Sequence, residues 1–203
     1  LIITLSRVAW AQTYAYRTDE IGQVVGVKPL SAGSGLPSGQ REVRIWIGFG
    51  LIEPETFTRI HTEGSTVRGS KVYWWNTAAD GAAEANADRD PALISNGELY
   101  ANLRQTAGCG PRRRRGQYEM CAATLAAGQS WQGILQSLDS LGIGDLPNGT
   151  AMGLDGWSVV VEVCDGASYR TYSYWMPEAT AAEPEVRSAA AIVNLVSLIG
   201  YRE

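Results

Sequence analysis

The chain has 203 residues, 45% of them hydrophobic and 19% charged, with a formal net charge of -4. That composition supports a substantial core and excludes disorder of the chain as a whole. The acid excess excludes a general attraction to nucleic acid or anionic membrane, because neutralising phosphates requires a basic surface.

The run from Leu1 ends in Ala9-Trp10-Ala11, which fits the small-x-small pattern of signal peptidase. Residues 1–11 therefore read as the remnant of a secretory signal clipped at its front, with residues 12–203 as a single domain. An ordinary N-terminal strand is the plainer alternative. No other run approaches the ~20 apolar residues of a membrane helix. The expectation is a periplasmic or extracellular protein with no transmembrane segment in its mature chain.

Ile21 to Val27 is a short apolar stretch, and the glycines between Leu30 and Gly39 follow it. Their spacing is not G-x-G-x-x-G, Pro37 interrupts them and a strand comes next, so they form a linker rather than a phosphate loop. Arg41 to Phe49 alternates, with Val43, Ile45, Ile47 and Phe49 on one face and Arg44, Trp46 and Gly48 on the other. This is the pattern of a half-buried strand. Thr56–Thr62 and Thr66–Trp75 form a hairpin through Glu63-Gly64-Ser65, completing a three-stranded meander.

Residues 76–92 turn abruptly to Ala, Asp, Asn and Glu, and mark the boundary if the chain has two lobes. Asn86, Asp88 and Asp90 alternate as calcium ligands do, but Pro91 and Gly97 stand where an EF-hand needs Gly and Glu. Cys109 and Cys121 bracket a polar loop that contains Arg112, Arg113, Arg114 and Arg115, and a disulfide between them suits an exported chain. Cys164 lies in a strand and is the cysteine left over, although the odd count leaves Cys121 to Cys164 as another pairing.

Ser130 caps a helix in which Trp131, Ile134, Leu135 and Leu138 share one face and Gly142 marks the end. The most distinct feature follows, W-S-V-V-V-E-V-C-D-G-A-S-Y-R-T-Y-S-Y-W from Trp157 to Trp175, a hairpin about Asp165-Gly166. A two-residue turn would put Glu162 opposite Tyr169 and send Arg170 to the other face. A three-residue loop puts Glu162 and Arg170 on one face, with Val159, Val161, Val163, Tyr169 and Trp175 on the other. The second register is expected, because it pairs the charges and buries the apolar residues. A helix over 185–199, entered through Pro184 and left at Gly200, closes the chain.

These elements predict an α+β fold. Its antiparallel sheet is built from a meander (about 41–75) and a hairpin (157–175), with two helices (about 130–141 and 185–199) packed on one face.

Chemistry is harder to find. His61 is the single histidine, no G-x-S-x-G elbow exists, and no C-x-x-C or H-E-x-x-H pair suggests zinc, so neither metal nor cofactor is implied. Paired carboxylates would suffice for a glycan hydrolase, and Glu162, which interrupts an apolar strand, is the least arbitrary candidate among Glu53, Glu55, Asp155, Asp165 and Glu178. A cross-strand pair with Arg170 explains Glu162 without catalysis.

Two surfaces suit binding. Tyr73, Trp74, Trp75, Tyr172, Tyr174 and Trp175 outnumber what one sheet face buries, since neighbours in a strand point to opposite sides. The arginine run Arg112 to Arg115 suits phosphates or a carboxylate-rich surface, with a protease-sensitive tip or a plain solvated loop as the blander readings. The reading is an exported, non-catalytic protein that binds a protein or envelope component through the aromatic strands, the arginine loop or both. An exposed hairpin edge also leaves room for self-association.

Overall fold

The computed structural model describes residues 18–19, 21–30, 36–48, 55–76, 109–110, 113–115, 118–151, 156–166 and 168–200. The signal-like run at 1–11, the polar segment at 77–92, Arg112, Glu53 and Asp155 lie outside these residues.

A short helix, α1, includes 18–19 and 21–25. The strands are β1 (Gln40–Gly48), β2 (Glu55–Glu63), β3 (Thr66–Asn76), β4 (Arg113–Arg115), β5 (Tyr118–Ala123), β6 (Ser158–Asp165) and β7 (Ser168–Trp175), and the longer helices are α2 (Trp131–Ser140) and α3 (Pro184–Ser197). All seven strands join one sheet in the order β4-β5-β3-β2-β1-β6-β7, and every pairing is antiparallel. The fold is therefore α+β, as the residue pattern predicts. It also contains β4 and β5, which extend the meander through a segment that reads as loop in the sequence.

One face of the sheet carries the main core. Val43 and Ile45 of β1, Ile60 of β2, Val159, Val161 and Val163 of β6, and Tyr172 and Tyr174 of β7 are buried against Ile134, Leu135 and Leu138 of α2 and Ala189, Ile192, Val193 and Val196 of α3. Ser130 caps α2 by accepting the Gly133 N–H at 3.1 Å. The helix exits through Gly142 at φ 75°, a conformation in which a side chain would be strained.

The end of α3 is held from the sheet. Lys71 of β3 is buried, and its Nζ donates to the carbonyls of Val196, Ser197 and Ile199 at 2.7, 3.1 and 3.2 Å. These carbonyls lie at the C-terminal end of the helix, where the Val196 carbonyl also accepts the Ile199 N–H at 3.3 Å, and a cation suits the negative end of the dipole. Burial acts against the charge and pushes the Lys71 amine down to about 7.

The register of the β6–β7 hairpin corrects the expected one. Asp165 pairs with Ser168, Val163 with Arg170 and Glu162 with Thr171, so a two-residue connection that includes Gly166 at φ 56° joins the strands. Glu162 and Arg170 thus lie on opposite faces. Arg170 is satisfied on the helix side by the carbonyls of Gly144 (3.1 Å), Asp145 (3.2 Å) and Leu146. The hydroxyls of Tyr172 and Tyr174 donate to Ile143 (2.8 Å) and Pro147 (2.7 Å) in the same loop. This register buries two tyrosine rings with the valines and supplies Arg170 with backbone acceptors. Tyr169 and Trp175 go to the other face.

One close approach fixes how α2 meets the sheet. The indole of Trp131 lies against Gly69 of β3, where a Cβ would overlap its fused ring. A rigid ring cannot yield as a flexible chain end does. Gly69→Ala should therefore destabilise the fold by roughly 1–3 kcal/mol, as overpacking does, read as a lower urea midpoint. An unchanged midpoint would contradict this packing.

Candidate functional site: a buried charge cluster and an arginine edge

The second face of the sheet is not the solvent face that the alternation of β1 suggests. Trp46, Phe57, Trp74 and Val160 form a buried cluster there, and Ile21, Val25 and Val27 from the N-terminal segment pack over it. Trp46 stacks on Phe57 with centroids 4.1 Å apart and meets Trp74 edge-on at 6.3 Å.

Beside this aromatic cluster the same face buries charge. Arg44 of β1 is paired in register with Arg59 of β2 on one side and with Glu162 of β6 on the other. Glu42, on the same face of β1, accepts from Arg44 Nε at 2.7 Å and from Arg59 Nε and a terminal guanidinium nitrogen at 2.8 and 2.7 Å. Glu162 accepts from the indole N–H of Trp46 at 2.7 Å and the hydroxyl of Tyr169 at 2.9 Å. Both carboxylates are 1% exposed. Each of their four oxygens thus receives a donor from the protein itself.

The two acids titrate differently for physical reasons. Burial would raise Glu42, but the Arg59 and Arg44 guanidinium groups outweigh it and hold the carboxyl below its ordinary value. For Glu162 burial wins over Arg44, the indole and the phenol, and its carboxyl is raised. Tyr169 is raised in turn by burial and by the carboxylate it contacts.

His61 marks the rim. Its Nδ1 lies 3.4 Å from Glu42, has no hydrogen-bond partner among the described residues, and belongs to a side chain 24% exposed. A general acid or base needs a proton within reach of a substrate atom. Glu42 and Glu162 are instead sealed and occupied by donors, which is the arrangement of a charge-neutral structural cluster.

The expected aromatic surface is absent as a surface. Tyr73, Trp74, Trp75, Tyr172 and Tyr174 are all buried, at 5% exposure or less, and Trp175 is half-buried. Tyr73 and Trp75 pack with Cys121 under the disulfide, Trp74 belongs to the second face, and Tyr172 and Tyr174 to the helix face. A sheet covered on both sides buries consecutive aromatics without leaving a row outside.

The arginines do form a surface. Arg113, Arg114 and Arg115 are exposed along β4, the edge strand, with Arg113 and Arg115 directed to one face and Arg114 to the other. Arg115 donates to the Val24 carbonyl at 3.2 Å. No ion pair of Arg113 or Arg114 with another described residue is present. Cys109 and Cys121 are bridged and Cys164 is free and buried. Among the described residues no group of three or more His, Cys, Asp and Glu side chains is disposed to hold a metal, and no helix is long and apolar enough to cross a membrane.

No protein-family model, curated protein or solved structure matches this chain.

Opposite pKa shifts on one face have opposite effects on stability. With its folded value lowered, Glu42 contributes stability that is present above the ordinary 4.5 and lost as pH falls through the folded value. With its folded value raised, Glu162 contributes stability that is present below 4.5 and lost as pH rises through the folded value. A carboxyl-carbon NMR titration should show Glu42 with its midpoint below 4.5 and Glu162 above it. Coincident midpoints would contradict the placement of the two guanidinium groups.

Proposed function

We propose that this chain is an exported, non-catalytic binding module that presents Arg113, Arg114 and Arg115 to an acidic partner, a protein or a cell-envelope component. One observation carries the reading: three consecutive exposed arginines stand on an edge strand of a chain whose net charge is -4. Such a local basic stripe attracts acidic groups even when the whole molecule is acidic, because screening confines the repulsion of distant charges to roughly 10 Å.

Export is supported by the Cys109–Cys121 disulfide, since such bonds persist in oxidising compartments. A non-catalytic role is supported by the saturation of Glu42 and Glu162 with internal donors. Glu162, the least arbitrary carboxylate for the hydrolase alternative, is 1% exposed, which favours the binding reading.

The test is a fluorescence-anisotropy titration of a short labelled peptide with a Glu-Glu-Glu centre. The parent should bind it, more weakly as salt rises, while the combined variant Arg113→Glu, Arg114→Glu, Arg115→Glu should lose binding without a change in thermal midpoint. Equal binding by parent and variant, or none by either, would count against the arginine edge as the docking site.

A further inference from the structure

The position of the three arginines says more than their charge does. We infer that β4 receives its partner by strand addition: an extended acidic segment lies alongside β4 as an eighth strand, with carboxylates directed to both faces of the sheet. This rests on the arginine-edge reading above and specifies its geometry.

The two edges of the sheet are not alike. At β7 the loop after α2 occupies the outer side: the Ser173 N–H donates to Asn148 Oδ1 at 3.2 Å, and the Gly149 N–H donates to the Ser173 carbonyl at 2.9 Å. That edge is blocked at its middle. At β4, β5 lies on the inner side, and among the described residues no backbone hydrogen bond reaches the outer side. Edge strands of this kind offer unpaired N–H and C=O groups to an incoming chain.

The edge is also held in place before any partner arrives. Cys109 pairs with Ala123 and is bonded to Cys121, so the disulfide closes the loop that carries β4, across a separation of 12 residues. The entropic cost of ordering that edge falls on folding rather than on binding.

Charge selects the occupant. A second copy of β4 would set arginine against arginine, which is destabilising for directly opposed cross-strand residues. An apolar strand would gain nothing from Arg113 and Arg114, whose guanidinium groups have no carboxylate partner among the described residues. Arg113 and Arg114 face opposite sides, so the complement is a run of consecutive acidic residues rather than an alternating one. Arg115, tied to the Val24 carbonyl, contributes less.

The experiment compares two peptides with the same Glu-Glu-Glu centre flanked by Val and Thr, one of which carries backbone N-methyl groups at alternate residues. N-methylation keeps every charge and removes the donors a new strand needs. Strand addition predicts binding about tenfold weaker or worse for the N-methylated peptide. It also predicts slower amide exchange at β4 when the unmethylated peptide is bound. Equal affinity of the two peptides, with no change in exchange at β4, would overturn strand addition while leaving the electrostatic docking reading standing. Failure of both peptides to bind would overturn both.

Discussion

The fold depends on the neutralisation of charge in the middle of a sheet that is covered on both sides. Arg44 stands on β1 between Arg59 and Glu162, with Glu42 close enough on the same strand to hold both guanidinium groups. A buried charge without a partner costs several kcal/mol, whereas the assembled set is close to neutral in total charge. Such a cluster also fixes alignment. Slipping β1 by one residue against β2 or β6 would carry Glu42 and Arg44 into the helix-side core and turn Val43 and Ile45 out of it. The cross-strand charges thus specify register where alternation of apolar residues alone would leave two crowded faces.

Both faces being covered explains why Tyr73, Trp74, Trp75, Tyr172 and Tyr174 are buried. The short helix α1 and Val27 lie over Trp46, Phe57 and Trp74, while α2 and α3 lie over the valines and tyrosines of the other side. Lys71 links the sheet to the end of α3 through three carbonyls, and Arg170 does the same for the loop after α2. Two long cations therefore serve as backbone clamps and are not available to a ligand. The exposed arginines of β4 stand at the edge of the sheet instead.

Much of the architecture is legible in the residues. Alternation in β1, the Glu63 to Ser65 connection, the Ser130 cap with its 3.6-residue apolar stripe, and Pro184 at the start of α3 each have a local cause that acts over a few residues. Three features resist such reading. The turn of β6–β7 takes a register that neither reading of Asp165-Gly166 anticipates, with Glu162 opposite Thr171, and Arg170 finds its acceptors in carbonyls 24 to 26 residues earlier. Strands β4 and β5 lack an apolar alternation because the disulfide and the sheet edge hold them. The charge cluster looks like a solvated face in sequence, since Glu42, Arg44 and Arg59 alternate with apolar residues as surface positions do. The signal present was Trp46 in their midst, a residue that a solvated face seldom carries.

The most direct test of this account is the unfolding free energy of Arg44→Met measured by urea denaturation. Removing the guanidinium while leaving Glu42 and Glu162 in place should cost roughly 3–5 kcal/mol, the usual penalty for stranding a buried charge. A variant as stable as the parent would contradict the claim that these carboxylates are structural.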